Sequence, residues 1–244
     1  MRCNVNKEIK RIFLVLILFS LSGGIFYSFQ ELWLAANNLS TKTIGIVYSL
    51  CALLSVSTIF LCSNLITKDK LKKFTSLLFL LKGIIIFSLF LLNNTGYNIL
   101  IKFLIMLDYV IDVEIYASIY PMIALFAKSD KIYALRSIIY SFSYYTGTLL
   151  TSLLLGKTIM HLNFFFNTYC LIGAMLIFGA FIILNNVNLN GDIKEDNNDK
   201  NILGKVIKKI KNDSISKYYL VANLTGNISY ACINGLAITL LITG

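Results

Sequence analysis

The sequence predicts an all-α membrane protein, a six-helix transmembrane bundle followed by the start of a second bundle. Three observations predict it. First, the 244 residues are 57% hydrophobic with a mean hydropathy of +0.74, whereas soluble domains are usually about half apolar. Second, seven apolar stretches fall at 12–36, 43–66, 74–92, 98–126, 133–155, 164–184 and 218–242, most near or above the roughly 20 residues a bilayer core demands of a helix. Backbone groups must be satisfied internally in lipid, and the alternation of barrel strands is absent, so the stretches are read as helices. Third, charge sorts by loop.

Eighteen of the 22 basic residues lie in alternate connections. Arg2, Lys7, Lys10 and Arg11 precede the first span; Lys68, Lys70, Lys72 and Lys73 follow the second; Lys128, Lys131 and Arg136 follow the fourth. Lys194, Lys200, Lys205, Lys208, Lys209, Lys211 and Lys217 follow the sixth. The opposite loops hold only Lys42, Lys157 and Lys102. An excess of Lys and Arg marks the cytoplasmic side. The expectation is a multi-pass protein of the cell membrane with a cytoplasmic amino terminus. The net charge of +10 is therefore read as topology, not as a nucleic-acid partner.

Span one has the basic start of a signal peptide but runs too long and is followed by six more spans, so it is read as uncleaved. Its polar face carries Ser20, Gly24, Tyr27 and Glu31. Glu31 lies about 28 Å along the helix from its cytoplasmic start at a rise of 1.5 Å per residue, either at the outer interface or at a cavity mouth. Trp33 beside it is expected in the outer aromatic belt. Span three holds Lys82, the only base buried in a span. Span four concentrates polarity, with Asp108, Asp112 and Glu114 beside Tyr109, Tyr116 and Tyr120. Pro121 is expected to kink or end it. Arg136, at the cytoplasmic start of span five, is expected to snorkel. Span five has a hydroxyl stripe of Ser137, Ser141, Tyr145, Thr148 and Ser152, read as interhelical packing, with cavity lining as the alternative. The domain reading is a bundle over 1–184, a cytoplasmic linker over 185–217 and a seventh helix over 218–244. Within the linker, Ile202, Leu203, Val206, Ile207 and Ile210 face away from Lys205, Lys208 and Lys209, a basic amphipathic helix suited to the lipid surface.

Span four carries the chemistry. A charge at mid-bilayer costs roughly 2.5–3.5 kcal/mol on the insertion scale, so three carboxyls within seven residues call for an explanation. Asp108, Asp112, Tyr116 and Tyr120 recur every four positions and form one stripe, while Glu114 points about 200° from Asp112 at 100° per residue. Spans three and four are joined by a short loop. Counting equal rises down both legs sets Lys82 level with about residue 109, within reach of Asp108 and Asp112. A Lys–Asp pair there is either a structural lock on the hairpin or part of a substrate or proton site; a different register would leave Lys82 to snorkel to the cytoplasm. Four in-span acids, Glu31, Asp108, Asp112 and Glu114, face this one base. A carboxyl left without a partner in a desolvated site exchanges protons more readily near neutrality.

The seventh span echoes the first at an offset of 203. Leu21, Gly23, Ile25 and Tyr27 fall on Leu224, Gly226, Ile228 and Tyr230. Such a restart after six spans is the pattern of a transporter built from two six-helix halves. The chain resembles the amino-terminal half of a major facilitator superfamily transporter, with its central loop and seventh helix. Ser63 to Lys73, running Ser-Asn-Leu-Ile-Thr-Lys-Asp-Lys-Leu-Lys-Lys, stands where that family carries a Gly-x-Leu-Ala-Asp-Arg-type loop, keeping the Leu and the basic run. Lys128-Ser129-Asp130-Lys131 with Arg136 is similar to the family's start of the fifth helix. Gly147-Thr148 stands where its drug antiporters have Gly-Pro.

The resemblance implies a secondary active transporter, not an enzyme, moving a small organic solute by ion-coupled efflux, with the first and seventh helices lining the path. Site candidates are Asp108, Asp112, Glu114, Lys82, Glu31, Tyr27 and Tyr116. Expected partners are the lipid bilayer, a small-molecule substrate, protons, and a second half or second copy. No nucleotide-binding loop of the Gly-x4-Gly-Lys type occurs, so energy must come from a gradient or a partner chain. No cofactor or metal is expected; His161 has no ligating neighbours, and the five cysteines have no paired spacing. The alternatives are a truncated, non-transporting remnant or half-transporter, and an intramembrane acid–base enzyme built on Asp108 and Asp112.

Overall fold

The computed structural model describes residues 2–62, 68–92, 95–126, 130–155 and 162–187. They form six helices and, among the described residues, no strand. These are α1 (Arg2–Ala36), α2 (Thr41–Cys62), α3 (Lys68–Leu91), α4 (Asn98–Ala124), α5 (Asp130–Leu155) and α6 (Leu162–Asn186). The polar linker beyond residue 187, the seventh span and His161 lie outside the described residues.

Five of the six helices begin earlier than hydropathy places them, α1 by ten residues, because a helix does not stop where lipid would. The basic turn before Ile12 and the one before Phe74 continue the same hydrogen-bonded spiral. Pro121 sits inside α4 and does not stop it there: the chain stays helical to Ala124, and the Leu125 N–H still bonds the Pro121 carbonyl at 3.0 Å. Proline lacks a donor but keeps its acceptor, so only the turn before it loses a bond.

The connections are tight. Asn38 turns with φ 61°, and Ser40 then caps α2, its hydroxyl accepting the Thr43 N–H at 3.3 Å. Gly96 turns α3 into α4 at φ 76°, a value glycine adopts without steric cost. The α1–α2 and α3–α4 turns border one hollow through Asn37, Asn38, Gly96 and Asn98. Arg11 donates both to Glu8 and to the Asn186 carbonyl, which puts the start of α1 beside the end of α6. Successive helices therefore run up and down.

α1 packs mainly on α5 and α6, α2 on α4, and α3 on α4 and α6. Exchanging α1 with α4, α2 with α5 and α3 with α6 carries α1·α5 onto α4·α2 and α1·α6 onto α4·α3, and returns α3·α6 to itself. Small residues set the closest crossings. A Cβ on Gly147 would stand 2.5 Å from the Leu21 carbonyl oxygen, and one on Gly24 would overlap the Tyr144 carbonyl. The Thr148 and Thr151 hydroxyls reach the Gly24 and Ile25 carbonyls at 3.4 Å. Gly83 and Gly173 face each other more loosely between α3 and α6, an added Cβ on either standing 3.3 or 3.5 Å from the other's carbonyl oxygen. Backbones come this close only where side chains are missing.

The interior is filled by Leu16, Phe19, Phe26, Phe79, Ile86 and Ile115, each 2% exposed or less. Trp33 belongs to this core at 1% exposure. This corrects its placement in an interfacial belt, because the face of α1 it occupies turns inward with Leu34. The outside of α3 is also apolar: Leu77, Leu81, Ile84, Phe87 and Leu91 are exposed at helical spacing. An exposed apolar stripe of that length marks contact with lipid or protein. Two stretches, Lys7–Ser28 in α1 and Lys70–Leu91 in α3, are long and apolar enough to cross a membrane. Lys42–Ser55 and Leu171–Asn186 are shorter apolar segments.

Candidate functional site

Lys82 lies on the inward stripe of α3 with Phe79, Ile86 and Leu89, at the three- and four-residue spacing that repeats one helical face. The stripe carries its ammonium to 1% exposure. Two carboxylates meet it there. Asp108 Oδ1 is 2.9 Å from Nζ and accepts a hydrogen bond. Asp112 Oδ1 is 2.8 Å away as an ion-pair partner outside hydrogen-bond alignment. The i, i+4 spacing brings both carboxylates to one face of α4, so a single cation reaches both.

Tyr27 of α1 closes the group. Its hydroxyl accepts from Lys82 Nζ at 3.2 Å and donates to Asp108 Oδ2 at 3.2 Å. Three helices are thereby joined through one ammonium. The two aspartates differ in access: the Asp108 side chain is fully buried, whereas that of Asp112 is 21% exposed. The network holds two carboxylates and one ammonium, a surplus of one negative charge when all three are ionised.

The remaining candidates separate from this centre. Glu114 is 2% exposed and points away from Lys82, toward Thr58 of α2. The Thr58 hydroxyl donates to the Ser55 carbonyl at 3.0 Å and approaches Glu114 as well, but neither Glu114 oxygen has a hydrogen bond of ordinary geometry among the described residues. An unsatisfied buried polar group costs about 1–3 kcal/mol. Glu114→Met is therefore expected to raise the melting temperature of the purified chain; a fall would mean that Glu114 has a stabilising partner. Tyr116 is 40% exposed and joins a second cluster, edge-on to Tyr140 at 5.3 Å. The Glu31 side chain lies outside the described ones.

Arg136 corrects the snorkelling expectation. It is 6% exposed, and its guanidinium lies over the rings of Tyr116 at 4.4 Å and Tyr120 at 5.1 Å. The flat cation gains more from two ring faces than from reaching for water at a helix end. The signal was in the sequence, since Tyr133, Arg136 and Tyr140 repeat one face of α5. Of the hydroxyl stripe, Thr148 alone packs on α1, while Ser137, Ser141, Tyr145 and Ser152 are exposed. The packing expectation therefore holds at one position, because α1 meets the neighbouring face of α5 at Gly147 and Thr151.

Among the described residues no three metal-ligating side chains gather. Two hollows lie at the α3–α4 turn, lined by residues between Asn37 and Phe103 and not by Lys82, Asp108 or Asp112. Comparison of the chain with family models, with curated proteins and with solved structures finds no match.

Proposed function

We propose that the chain is a multi-pass membrane protein acting as the amino-terminal half of a major-facilitator-type secondary transporter, moving a small organic solute across the cell membrane by proton-coupled efflux. The observation that carries this reading is Lys82 held between Asp108 and Asp112, with the less buried carboxylate at the edge. A proton arriving on Asp112 cancels the surplus negative charge and frees Lys82 to rest on Asp108 alone. That is a two-state element whose balance a proton biases.

Two further features support it. The helix pairing repeats under exchange of the first and last three helices, the internal symmetry of halves built from inverted three-helix repeats. The outward faces of α4 and α5 mix Tyr116, Tyr120, Ser141 and Tyr145 among apolar residues, unlike the apolar stripe of Leu77, Leu81, Ile84, Phe87 and Leu91 on α3. In this reading that face meets water or a second bundle, which a second copy or a longer chain would supply. The amino terminus is cytoplasmic. A lysine clamped between two aspartates serves poorly as a hydrolytic dyad, which argues against an acid–base enzyme.

The test is proton flux. Proteoliposomes of the full chain, loaded with a pH-sensitive dye, are challenged with a panel of amphipathic organic anions and cations. At least one compound is expected to drive proton movement, and Asp112→Asn is expected to reduce the coupled flux tenfold or more. Undiminished flux in that variant, or none in the parent, overturns the reading.

A further inference from the structure

Arg136 is buried at 6% exposure, yet no carboxylate meets it among the described residues. Its Nε and Nη2 atoms are buried without a hydrogen-bond partner. Those two nitrogens share one edge of the guanidinium, the edge that grips a carboxylate through two parallel hydrogen bonds. The rings of Tyr116 and Tyr120 cover the faces of the cation but offer nothing to its in-plane donors. Among the described residues, then, this buried cation has partners on its faces and no anion at its edge. The surroundings are flat and aromatic: Tyr133 stacks on Tyr120 at 5.5 Å, and Tyr140 meets Tyr116 edge-on.

We infer that Arg136, with Tyr116 and Tyr120, is a recognition site for a planar organic carboxylate. The carboxylate accepts from Nε–H and Nη2–H side-on, and the flat body of the ligand packs among the tyrosine rings. Tyr116 and Tyr120 are 40% and 48% exposed, so the rings that lie over the cation also border the surface. Tyr140 lies within electrostatic reach of both Arg136 and Asp112, and its ring meets Tyr116 edge-on. A planar carboxylate is then the substrate class of the proposed transporter. That assignment rests on the transport reading; binding at Arg136 does not.

The experiment uses the full chain in phosphatidylcholine nanodiscs, titrated with benzoate, with uncharged benzamide and with inorganic phosphate, and read by ligand-observed NMR and thermal shift. Benzoate is expected to bind saturably, with benzamide at least tenfold weaker. Arg136→Gln is expected to lose tenfold or more in benzoate affinity, and Arg136→Lys to fall between, because it keeps the charge but not the fork. Equal binding of benzoate and benzamide, a comparison that needs no variant, overturns the inference. So does full binding by Arg136→Gln, or phosphate competing as well as benzoate. A lipid phosphate shares the anionic chemistry: if adding phosphatidylglycerol abolishes benzoate binding, the site belongs to lipid and the solute assignment fails. Benzoate binding without coupled proton flux would sink the transport reading alone; flux without benzoate binding would sink this inference alone.

Discussion

Lys82→Met is expected to destabilise the purified chain by about 3–5 kcal/mol, the range for removing one partner of a buried ion pair. Methionine nearly fills the space, so a cavity adds little. The cost comes from Asp108 and Asp112, which then face each other on one helix with no cation, one of them fully buried. The Tyr27 hydroxyl can satisfy only one Asp108 oxygen. Adding Asp108→Asn removes the deeper charge, and the double variant is expected to recover a large part of the loss. Thermal unfolding in detergent of the parent, both single variants and the double variant gives the coupling directly. A Lys82→Met variant within about 1 kcal/mol of the parent, or a double variant no better than the single, would show that the three groups are not coupled as the geometry requires.

Gly24→Val is expected to be comparably damaging for a different reason. Its added carbons run into the Tyr144 carbonyl of α5. Backbone cannot rotate aside as a side chain does, so α1 and α5 must separate along their main contact, a strain at or above the roughly 1–3 kcal/mol of ordinary overpacking. Gly147→Val forces the same crossing from the other helix, against the Leu21 carbonyl at 2.5 Å and the Ile25 nitrogen at 3.0 Å. Once the helices have parted, the second substitution finds room. The double variant should therefore cost clearly less than the sum of the two. Gly45 is the control: nothing lies within 4 Å of its added Cβ, and alanine there should gain up to about 1 kcal/mol of helix propensity. Additive losses at Gly24 and Gly147 would refute the shared crossing.

Helix content and turn positions were legible in the sequence, and so was the meeting of Lys82 with Asp108 and Asp112. Each follows from rules that act along one chain segment. An apolar run specifies a helix, 1.5 Å per residue converts spacing into depth, and 100° per residue converts it into face. Two legs joined by a short turn inherit a common depth scale, which brings the lysine level with its aspartates before any packing is known. Opposite facing of Asp112 and Glu114 is readable in the same way.

Which helix stands across each face was not readable, because pairing depends on where backbones can approach, and that is settled by glycines on two distant segments at once. Tyr27 completes the ion pair because the Gly24–Gly147 crossing sets how α1 lies in the bundle, 55 residues from Lys82. Trp33 is buried, and Arg136 turns inward onto Tyr116 and Tyr120, for the same reason. Position near a helix end points both toward an interface, whereas the neighbouring helix decides their environment. Local spacing determined which groups share a depth and a face; only tertiary packing decided what each face meets.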